Sequence, residues 1–444
     1  MDFQRDLRVV SEPQVLVCGA GCAGVGAAIA AAEMGASVMV VESSGFAGGF
    51  ITAVGGPGLD GMYDTKTGEI VVGGIAKDIM EKVSGVDAKS QLTGRFTYGG
   101  DLTAESGVDH GKTSAVTGLT PVDMNPEHFK VYADRRFVEL GIEVLYHTRV
   151  IDVVSTGREI SYVVIANKGG LSVIKPHIVI DCTGDADVAA WSGNTIMTNP
   201  DAQPMSLHLR LGNVDITDEL IAKCSRALEE AHSAGKIAAY GGPWALKMGP
   251  GDIAINATRI VADRTDPRAW TFAEMEGRRQ AWDIFNIWRE SVEECKDAYY
   301  IASGPEAGAR ETRRIRGKYI LTGEDIVENR PQPDAVVKGA WYFDQHPSGS
   351  SGFHEHRDVR PYDIPFRTLV PDVSTNLLVA GRCHSATPQA LASSRVTATS
   401  MGMGEAAGTA AGLLVGEGSK SGGLDSLDYT VLRASLKDRG AILD

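Results

Sequence analysis

The feature that most constrains the fold is a strand, a glycine-rich turn, a helix and a second strand in succession near the N-terminus. Residues 14–18 (QVLVC) and 37–41 (SVMVV) are apolar runs of strand length. Residues 23–34 between them are rich in alanine and lack proline. Such a unit of about 30 residues is typical of a parallel sheet whose strands are joined by helices. The sequence therefore predicts an α/β fold.

The turn after the first strand carries glycines in the spacing GxGxxG. Gly19 permits a tight turn, Gly21 lets a pyrophosphate approach the backbone, and Gly24 lets the helix lie close to the strand. The helix N-terminus offers N–H groups and positive dipole to phosphate. Glu42 lies 23 residues after Gly19, where a carboxylate can accept hydrogen bonds from ribose hydroxyls. Together these residues predict a dinucleotide-binding site.

The segments that follow predict further parts of one nucleotide-binding domain. Gly48 and Gly49 form a second glycine loop, where an NAD-binding domain would usually continue with a helix. Residues 126–140 predict a helix, and residues 142–146, 150–155, 159–167 and 171–175 predict a β-meander. Residues 178–185 (IVIDCTGD) predict a strand that returns the chain to the nucleotide domain. A plain surface loop is the alternative for the second glycine loop.

These motifs give the chain a recognisable resemblance. It resembles the FAD-dependent oxidoreductase family with glutathione-reductase-like topology in residues 15–52, in residues 308–326 with 341–349, and in residues 362–412. The stretches RETRRIRG and ALASSRV, followed by MGMGEAAG, are more specific than the first segment. The resemblance implies an α/β fold with a Rossmann-like FAD-binding domain of three-layer ββα architecture and an inserted α+β substrate domain. We assign residues 1–85, 125–200 and 360–444 to the FAD-binding domain and residues 86–124 and 201–359 to the substrate or cap domain.

The resemblance also implies roles for individual residues toward the cofactor FAD. The ADP half would be bound by the first glycine turn and the acid after the second strand, and the flavin by the second glycine loop. A backbone contact on the adenine side, contacts beside the dinucleotide and the ribityl chain, and a helix opening toward the flavin pyrimidine ring would complete the site. In that order the residues are Gly19, Gly21, Gly24 and Glu42; Gly48, Gly49 and Thr52; Val150; Thr183, Gly184 and Asp185; Gly381 and Arg382; and Gly404 and Glu405.

Four residues are candidates for catalysis. His346, in the segment DQHP, has a side chain suited to proton transfer near neutral pH. His384 stands where compared family members often carry an apolar residue, so a base, a substrate anchor, a covalent flavin attachment or a histidine bonded to nearby backbone all remain open. Arg310, in a cluster of four arginines, and Arg395 are candidates for binding a substrate carboxylate or polarising the substrate. For Arg395 the alternative is an ion pair that holds its loop.

The predicted reaction is the transfer of a hydride between a small organic substrate and flavin N5 by an FAD-dependent dehydrogenase or oxidase. The sequence contains no second GxGxxG in a strand–helix–strand setting, which argues against a dedicated NAD(P)H domain. An FAD-dependent monooxygenase that uses NAD(P)H is the alternative enzyme. A non-redox protein that uses the dinucleotide fold as a scaffold is the alternative of another class.

Composition narrows the partners. The formal charge is −14 and the basic residues form no concentrated stripe, which argues against nucleic acid. No apolar stretch reaches the length of a bilayer, and the N-terminus lacks a secretory pattern, so we expect a cytoplasmic protein with no membrane partner. The six cysteines are scattered and predict buried, reduced thiols. His354 and His356 could share a metal, but we expect a solvated loop and no metal. The electron acceptor (oxygen, a quinone or a protein) and a homo-oligomeric state are open.

Overall fold

The structure is a computed structural model that describes residues 6–64, 66–84, 122–123, 125–349, 351–352, 357–416 and 423–444. In chain order, the strands are β1 (Arg8–Ser11), β2 (Val15–Cys18), β3 (Val38–Val41), β4 (Gly58–Leu59), β5 (Val122–Asp123), β6 (Glu143–Leu145), β7 (Arg149–Thr156), β8 (Glu159–Asn167), β9 (Gly170–Ile174), β10 (Ile178–Asp181), β11 (Ile196–Met197), β12 (His208–Gly212), β13 (Trp244–Gly249), β14 (Asp252–Asn256), β15 (Tyr299–Ser303), β16 (Arg314–Ile315), β17 (Ala335–Gly339), β18 (Tyr362–Pro365) and β19 (Leu377–Val379). The α-helices are α1 (Cys22–Glu33), α2 (Gly74–Ile79), α3 (Pro126–Glu139), α4 (Asp187–Trp191), α5 (Asp218–Ser233), α6 (Pro267–Ser291), α7 (Gly323–Glu328), α8 (Pro388–Ser394), α9 (Thr397–Val415) and α10 (Tyr429–Asp438).

A five-stranded parallel sheet in the order β19-β10-β2-β3-β6 forms the middle layer of the nucleotide-binding half. Alternate residues of β2 face opposite layers. Val15 and Val17 lie in the core shared with α1 and α9, whereas Leu16 and Cys18 lie in the core shared with the meander. The second sheet, β1-β9-β8-β7, contains that meander. Burial on both faces explains why β2 and β3 are continuous apolar runs. The predicted α/β fold class and its three layers are confirmed.

Helices α1 and α9 pack at unusually short range because glycine and alanine line their contact. A Cβ atom at Gly404 would lie 1.9 Å from the carbonyl oxygen of Ala23, and one at Gly408 would lie 2.2 Å from that of Ala27. Helix α9 begins at Thr397, and Gly404 lies near its middle. The prediction that Gly404 and Glu405 open this helix is therefore wrong. Gly404 is needed for close helix packing instead.

The cap is built on the antiparallel sheet β13-β14-β12-β15, which is covered by α5 and α6. Helix α6 starts at Pro267 because the Asp266 side chain accepts hydrogen bonds from the N–H groups of Arg268 and Ala269. Among the aromatic residues of α6, Trp288 is buried in the cap core, but Trp282 is 53% exposed. Of these two tryptophans, only Trp288 belongs to the core.

Residues between Ile315 and Phe343 pack with the nucleotide-binding half. Ile315 lies in the core under the meander, and Leu321, Val337 and Phe343 lie in the core around α9. Strand β17 pairs with β18 beside α9. The predicted cap range of 201–359 thus differs from this packing, and residues 86–121 of the other predicted cap segment lie outside the described residues. None of the helices in the described residues combines the length and the apolar character that a membrane span requires.

Candidate functional site

A cavity of about 370 Å³ lies between the first glycine turn and the cap. One end is lined by Gly19, Gly21 and Glu42, and the other by cap residues such as Trp244 and by His346. Its volume is within the range of small-molecule sites in proteins. The residues that line it therefore define the candidate site.

The first glycine turn combines two glycines that packing requires with one that it does not. Gly19 has φ +98°, and a Cβ atom there would lie 2.6 Å from the carbonyl oxygen of Cys182. A Cβ atom at Gly24 would lie 1.9 Å from the carbonyl oxygen of Gly19, so Gly24 serves helix packing and does not line the cavity. Gly21 lines the cavity, and a Cβ atom there would meet nothing closer than 4.0 Å. Only Gly21 is left without a packing reason to be glycine.

Glu42 fixes the same turn from the end of β3. Its carboxylate accepts hydrogen bonds from the backbone N–H groups of Ala20 (2.7 Å) and Ser44 (2.7 Å). The carboxylate lines the cavity at the edge where the parallel strands end. Ligands of open α/β sheets bind at this edge.

The second glycine loop is joined to the first. The N–H of Gly48 donates to the carbonyl oxygen of Ala20 (2.8 Å), and a Cβ atom at Gly49 would lie 2.9 Å from the Cα of Gly21. Gly49 lines the cavity, whereas Gly48 and Thr52 do not. Thr52 is buried, and its hydroxyl donates to the carbonyl oxygen of Ala47 (2.7 Å). The expected flavin contact through the Thr52 side chain is absent from the described cavity wall.

The remaining predicted contacts from the sheet edge come together on one wall: Val150, Thr183, Gly184, Asp185, Gly381 and Arg382. Asp185 forms ion pairs with Arg264 of the cap (3.3 Å) and with Arg382 (3.3 Å) and accepts a hydrogen bond from the Thr312 hydroxyl (2.7 Å). Burial opposes ionisation of Asp185, but Arg264 and Arg382 hold its pKa below the ordinary value. Within the described residues, Nη1 of Arg382 is buried without a hydrogen-bond partner.

The start of α9 reaches the cavity through Val396, Thr397 and Ser400. Glu405 lies in a separate small pocket, where its carboxylate accepts a hydrogen bond from the N–H of Ile75 (2.9 Å). Burial raises the pKa of Glu405 to about 7. Gly404 and Glu405 therefore do not contact the large cavity.

At the cap end, the Asp344 carboxylate lies between a histidine and an arginine. Its Oδ1 is 2.9 Å from Nε2 of His346, and its Oδ2 accepts a hydrogen bond from Nη2 of Arg395 (2.8 Å). Asp344, His346 and Arg395 all line the cavity. The structure thus brings two of the four catalytic candidates together around a carboxylate that the sequence analysis did not select.

The contacts of His346 fix its tautomer. Nη2 of Arg259 is 3.2 Å from Nδ1 of His346, and a guanidinium group can only donate. Nδ1 therefore accepts, and Nε2 carries the hydrogen that points to Asp344. Burial lowers the pKa of His346 to about 3, against the opposing field of Asp344. Both ring nitrogens of this neutral histidine are engaged by the protein.

Asp60 is a second carboxyl group of the cavity that the sequence analysis missed. Its backbone oxygen accepts a hydrogen bond from the N–H of Ala398 in the first turn of α9 (2.9 Å), which places Asp60 beside the helix start. Burial, and then the nearby Asp344 carboxylate, raise the pKa of Asp60 to about 7, although Arg395 opposes the shift. Its side chain lines the cavity. A carboxyl group that titrates near neutral pH is suited to proton transfer.

His384 has no place in the cavity wall. It is fully buried, and its Nε2 lies 2.8 Å from the hydroxyl oxygen of Ser394. Burial and then the charge of Arg314 lower its pKa to about 3. The structure does not bring His384 together with the other catalytic candidates at the cavity. The residue belongs to the core next to α8.

The arginine cluster of residues 310–316 divides into different roles. Arg310 lines the cavity, whereas Arg314 forms a buried ion pair with Glu311 and Arg313 pairs with Asp187. A search of the described residues found no group of three or more His, Cys, Asp or Glu side chains that could hold a metal. His354 and His356 lie outside the described residues.

The local sequence gives little signal for the residues that were missed. Asp60 lies in the loop GPGLDGM, and Asp344 lies two positions before His346. Arg264 and Arg259 come from the cap, more than 70 residues away from Asp185 and His346 along the chain. Their function depends on neighbours that only the tertiary fold supplies. The proximity of Asp344 to the selected His346 is the one signal that could have drawn attention to it.

A model of the family described as FAD dependent oxidoreductase matches residues 14–436 of this chain. No curated protein matches it. Among solved structures, a geranylgeranyl bacteriochlorophyll reductase-like protein from Thermoplasma acidophilum is 13% identical with a TM-score of 0.50, and the alignment covers 96% of this chain and 83% of that one. At this identity the similarity shows a shared fold.

Two further solved structures are similar at lower scores. CabE, an aromatic hydroxylase from angucycline biosynthesis, is 14% identical with a TM-score of 0.47, with 96% of this chain and 68% of that one covered. The flavin-dependent brominase Bmp2 is 12% identical with a TM-score of 0.44, with 96% and 83% covered.

Proposed function

The chain belongs to the FAD dependent oxidoreductase family, an enzyme family whose cofactor is FAD, and on that premise we propose that it is a dehydrogenase or oxidase of a small organic substrate. FAD, when bound, supplies a hydride acceptor at its N5 atom. The protein must then bind the substrate, exclude water and receive the proton that the substrate loses.

The chemistry of the cavity wall fits FAD. Gly21 leaves open backbone at the N-terminus of α1, where a pyrophosphate is favoured by the free N–H groups. Arg382 has an unpartnered buried nitrogen beside that wall and would pair with phosphate. Glu42 stands at the end of β3, suited to ribose hydroxyls. We propose that these residues hold the ADP half and that Thr397, at the start of α9, faces the flavin.

One observation carries the proposal for the reaction: a titratable carboxyl group lies in the cavity beside the start of α9. We assign Asp60 as the group that accepts the substrate's proton, because its pKa of about 7 lets it both hold and release a proton at neutral pH. When a substrate C–H bond breaks and its hydride leaves, the proton on the adjoining oxygen or nitrogen passes to the Asp60 carboxylate. The substrate thus loses one hydride and one proton, and its net charge does not change.

His346 takes a different part from the one that the sequence suggested. Its neutral ring donates to Asp344 and accepts from Arg259, so it offers no nitrogen to a substrate. We propose that His346 positions Asp344, which in turn holds Arg395 against the cavity. Burial, and then the negative charge of Asp344, raise the pKa of Asp60.

The first experiment is the visible spectrum of the purified protein before and after acid precipitation. We expect a flavin spectrum that is released into the supernatant. Anaerobic addition of a substrate library should then bleach the flavin, and Asp60→Asn should slow the bleaching. Bleaching by NAD(P)H alone would favour the monooxygenase instead, and a flavin that neither reagent bleaches would favour the non-redox scaffold.

A further inference from the structure

Arg310 differs in its partners from the other part-buried arginines that line the cavity, Arg264, Arg382 and Arg395. Its Nη1 donates to two neutral acceptors, the carbonyl oxygen of Pro204 (2.6 Å) and the hydroxyl of Ser206 (2.8 Å). Among the described residues, no carboxylate oxygen lies within 4.0 Å of its guanidinium, whereas Arg264, Arg382 and Arg395 each have one. Arg310 is part-buried, and no described carboxylate balances its charge, so an anion beside it would be favourable.

The surroundings of Arg310 make that cost larger. Burial lowers the pKa of Arg310 to about 9, and the positive charges of Arg395 and Arg259 act in the same direction, with Asp344 opposing them. The two nearby histidines, His208 and His346, are neutral because burial lowers the pKa of each to about 3. These two histidines therefore add no positive charge at neutral pH, and a neutral imidazole does not balance the charge of Arg310. An anion entering the cavity would relieve the repulsion among these cations.

The cavity wall that contains Arg310 also carries apolar and aromatic side chains. They belong to Trp244, Leu246, Ala254, Trp341 and Tyr342. The rings of Trp341 and Tyr342 are stacked with their centroids 4.5 Å apart. Such surfaces favour a flat or aliphatic body over a strongly hydrated one.

We infer that the substrate is a small organic carboxylate, whose carboxylate group is bound by the free edge of the Arg310 guanidinium and whose apolar body lies against the tryptophan wall. This inference rests on the proposed function for the identity of the bound molecule as substrate. Because Nη1 is already held by Pro204 and Ser206, the guanidinium is fixed in place before the ligand arrives. A fixed guanidinium binds a planar carboxylate with little further ordering.

The test is calorimetric titration of the oxidised, FAD-loaded protein with benzoate, with neutral benzamide as the uncharged analogue. We expect benzoate to bind at least tenfold more tightly than benzamide. Arg310→Met should weaken benzoate binding roughly 10- to 100-fold, the range of a charged hydrogen bond, and leave benzamide binding nearly unchanged. Arg310→Lys keeps the charge and should give a smaller loss. Arg279→Met, on the exposed face of α6, is the matched control and should change neither titration.

Several outcomes would overturn the inference. Equal binding of benzoate and benzamide, benzoate binding that Arg310→Met and Arg310→Lys leave intact, or no benzoate binding would each do so. Tighter binding of inorganic phosphate than of benzoate would instead indicate a phosphorylated ligand. Since the titration involves no electron transfer, its result is independent of the bleaching experiment, which alone tests the proposed dehydrogenase or oxidase activity.

Discussion

At the scale of single residues, we expect the ionisation of Asp60 to set how the reaction in the cavity depends on pH. Its pKa of about 7 lies well above the ordinary value for aspartate, with burial as the main cause. If the ionised form accepts the substrate proton, flavin reduction should accelerate as the pH rises through 7 and then level off. Asp60→Asn should lower the rate roughly 100- to 10,000-fold and remove this inflection. Stopped-flow measurement of anaerobic flavin bleaching between about pH 5.5 and about pH 9 checks both expectations.

A matched control separates this effect from a change in structure. Asp263→Asn alters an exposed cap aspartate that bonds only its own turn through Thr265 and should leave the pH profile as it is. An inflection that survives in Asp60→Asn would show that another group accepts the proton.

Glu405 gives a second prediction, on stability. Its pKa is raised to about 7 by burial, so the folded protein holds this proton more tightly than the unfolded chain does. Its contribution to stability is therefore complete below the unfolded pKa and is lost as the pH rises through about 7. Glu405→Gln keeps an oxygen for the N–H of Ile75 and removes the titration. The loss of stability between pH 4.5 and 7, on the order of 3 kcal/mol, should shrink in this variant.

The measurement is the thermal unfolding midpoint across that pH range, compared between the wild type, Glu405→Gln and the exposed control Glu293→Gln. A wild-type-like fall of the midpoint in Glu405→Gln would contradict the assignment.

The sequence could predict part of the site at this scale and not the rest. The position of Gly19, Gly21 and Glu42 at the cavity was predictable because it follows from local spacing after one strand. In the sequence, His346 and His384 are equally plausible catalytic residues. Only the fold shows that His346 is hydrogen-bonded to Asp344 and Arg259 and that His384 is buried beside Ser394. The burial that raises the pKa of Asp60 is likewise invisible in the sequence.

At the scale of elements, the contact between α1 and α9 is the part least tolerant of added volume. A Cβ atom at Gly404 would lie 1.9 Å from a backbone oxygen, which a side-chain movement cannot relieve. Gly404→Ala should push the two helices apart and destabilise the protein by about 1–3 kcal/mol. Since Ala23 also lines the cavity, moving it should lower the affinity for FAD as well as the stability. Thermal unfolding and FAD titration check the two effects.

The control for this prediction is Gly249→Ala, because a Cβ atom there would make an ordinary contact of 3.9 Å with Asp252. This substitution should leave both measurements near the wild-type values. An unchanged midpoint in Gly404→Ala would mean that the helices can separate at little cost.

Elements with strong local patterns were predictable with small errors. Strand β8 has the predicted bounds of 159–167, and α3 differs from the predicted 126–140 by one residue at its end. The start of α9 was not predictable from composition, because serine, threonine and glycine before Gly404 weaken the helix signal. Packing against α1 stabilises that turn, and this packing depends on residues almost 400 positions away.

At the scale of the whole molecule, Arg264 ties the cap to the nucleotide-binding half. It pairs with Asp185 (3.3 Å) and Glu306 (3.6 Å), and its guanidinium lies 4.4 Å from the ring centroid of Trp270. Arg264→Met should weaken FAD binding roughly 10- to 100-fold by removing a charged partner of the cavity wall. Lys223→Met, which breaks exposed ion pairs of the cap, should not.

The ion pair between Arg264 and Asp185 predicts that the affinity for FAD does not change with pH through Asp185. Because the pKa of Asp185 is held below its ordinary value, the carboxylate stays ionised through the mildly acidic and neutral range. FAD affinity measured by fluorescence quenching at pH 5 and at pH 8 should therefore not change through this residue. A steep loss of affinity toward pH 5 in the wild type that disappears in Arg264→Met would contradict this.

Strand β10 pairs with β19, and α1 packs against α9, although these elements lie far apart in the chain. This has a consequence for biosynthesis. The glycine turn is synthesised before the cap, but β10 has no β19 beside it until translation has passed residue 379, and α1 has no α9 against it until translation has passed residue 415. The cap sheet and its helices lie between these points and are complete by residue 303. We therefore expect the cap to fold before the FAD site is complete, and FAD to load only once β19 and α9 have been synthesised and can pack. Ribosome-bound chains arrested before β19 should fail to retain the cofactor, whereas chains that include α9 should bind it.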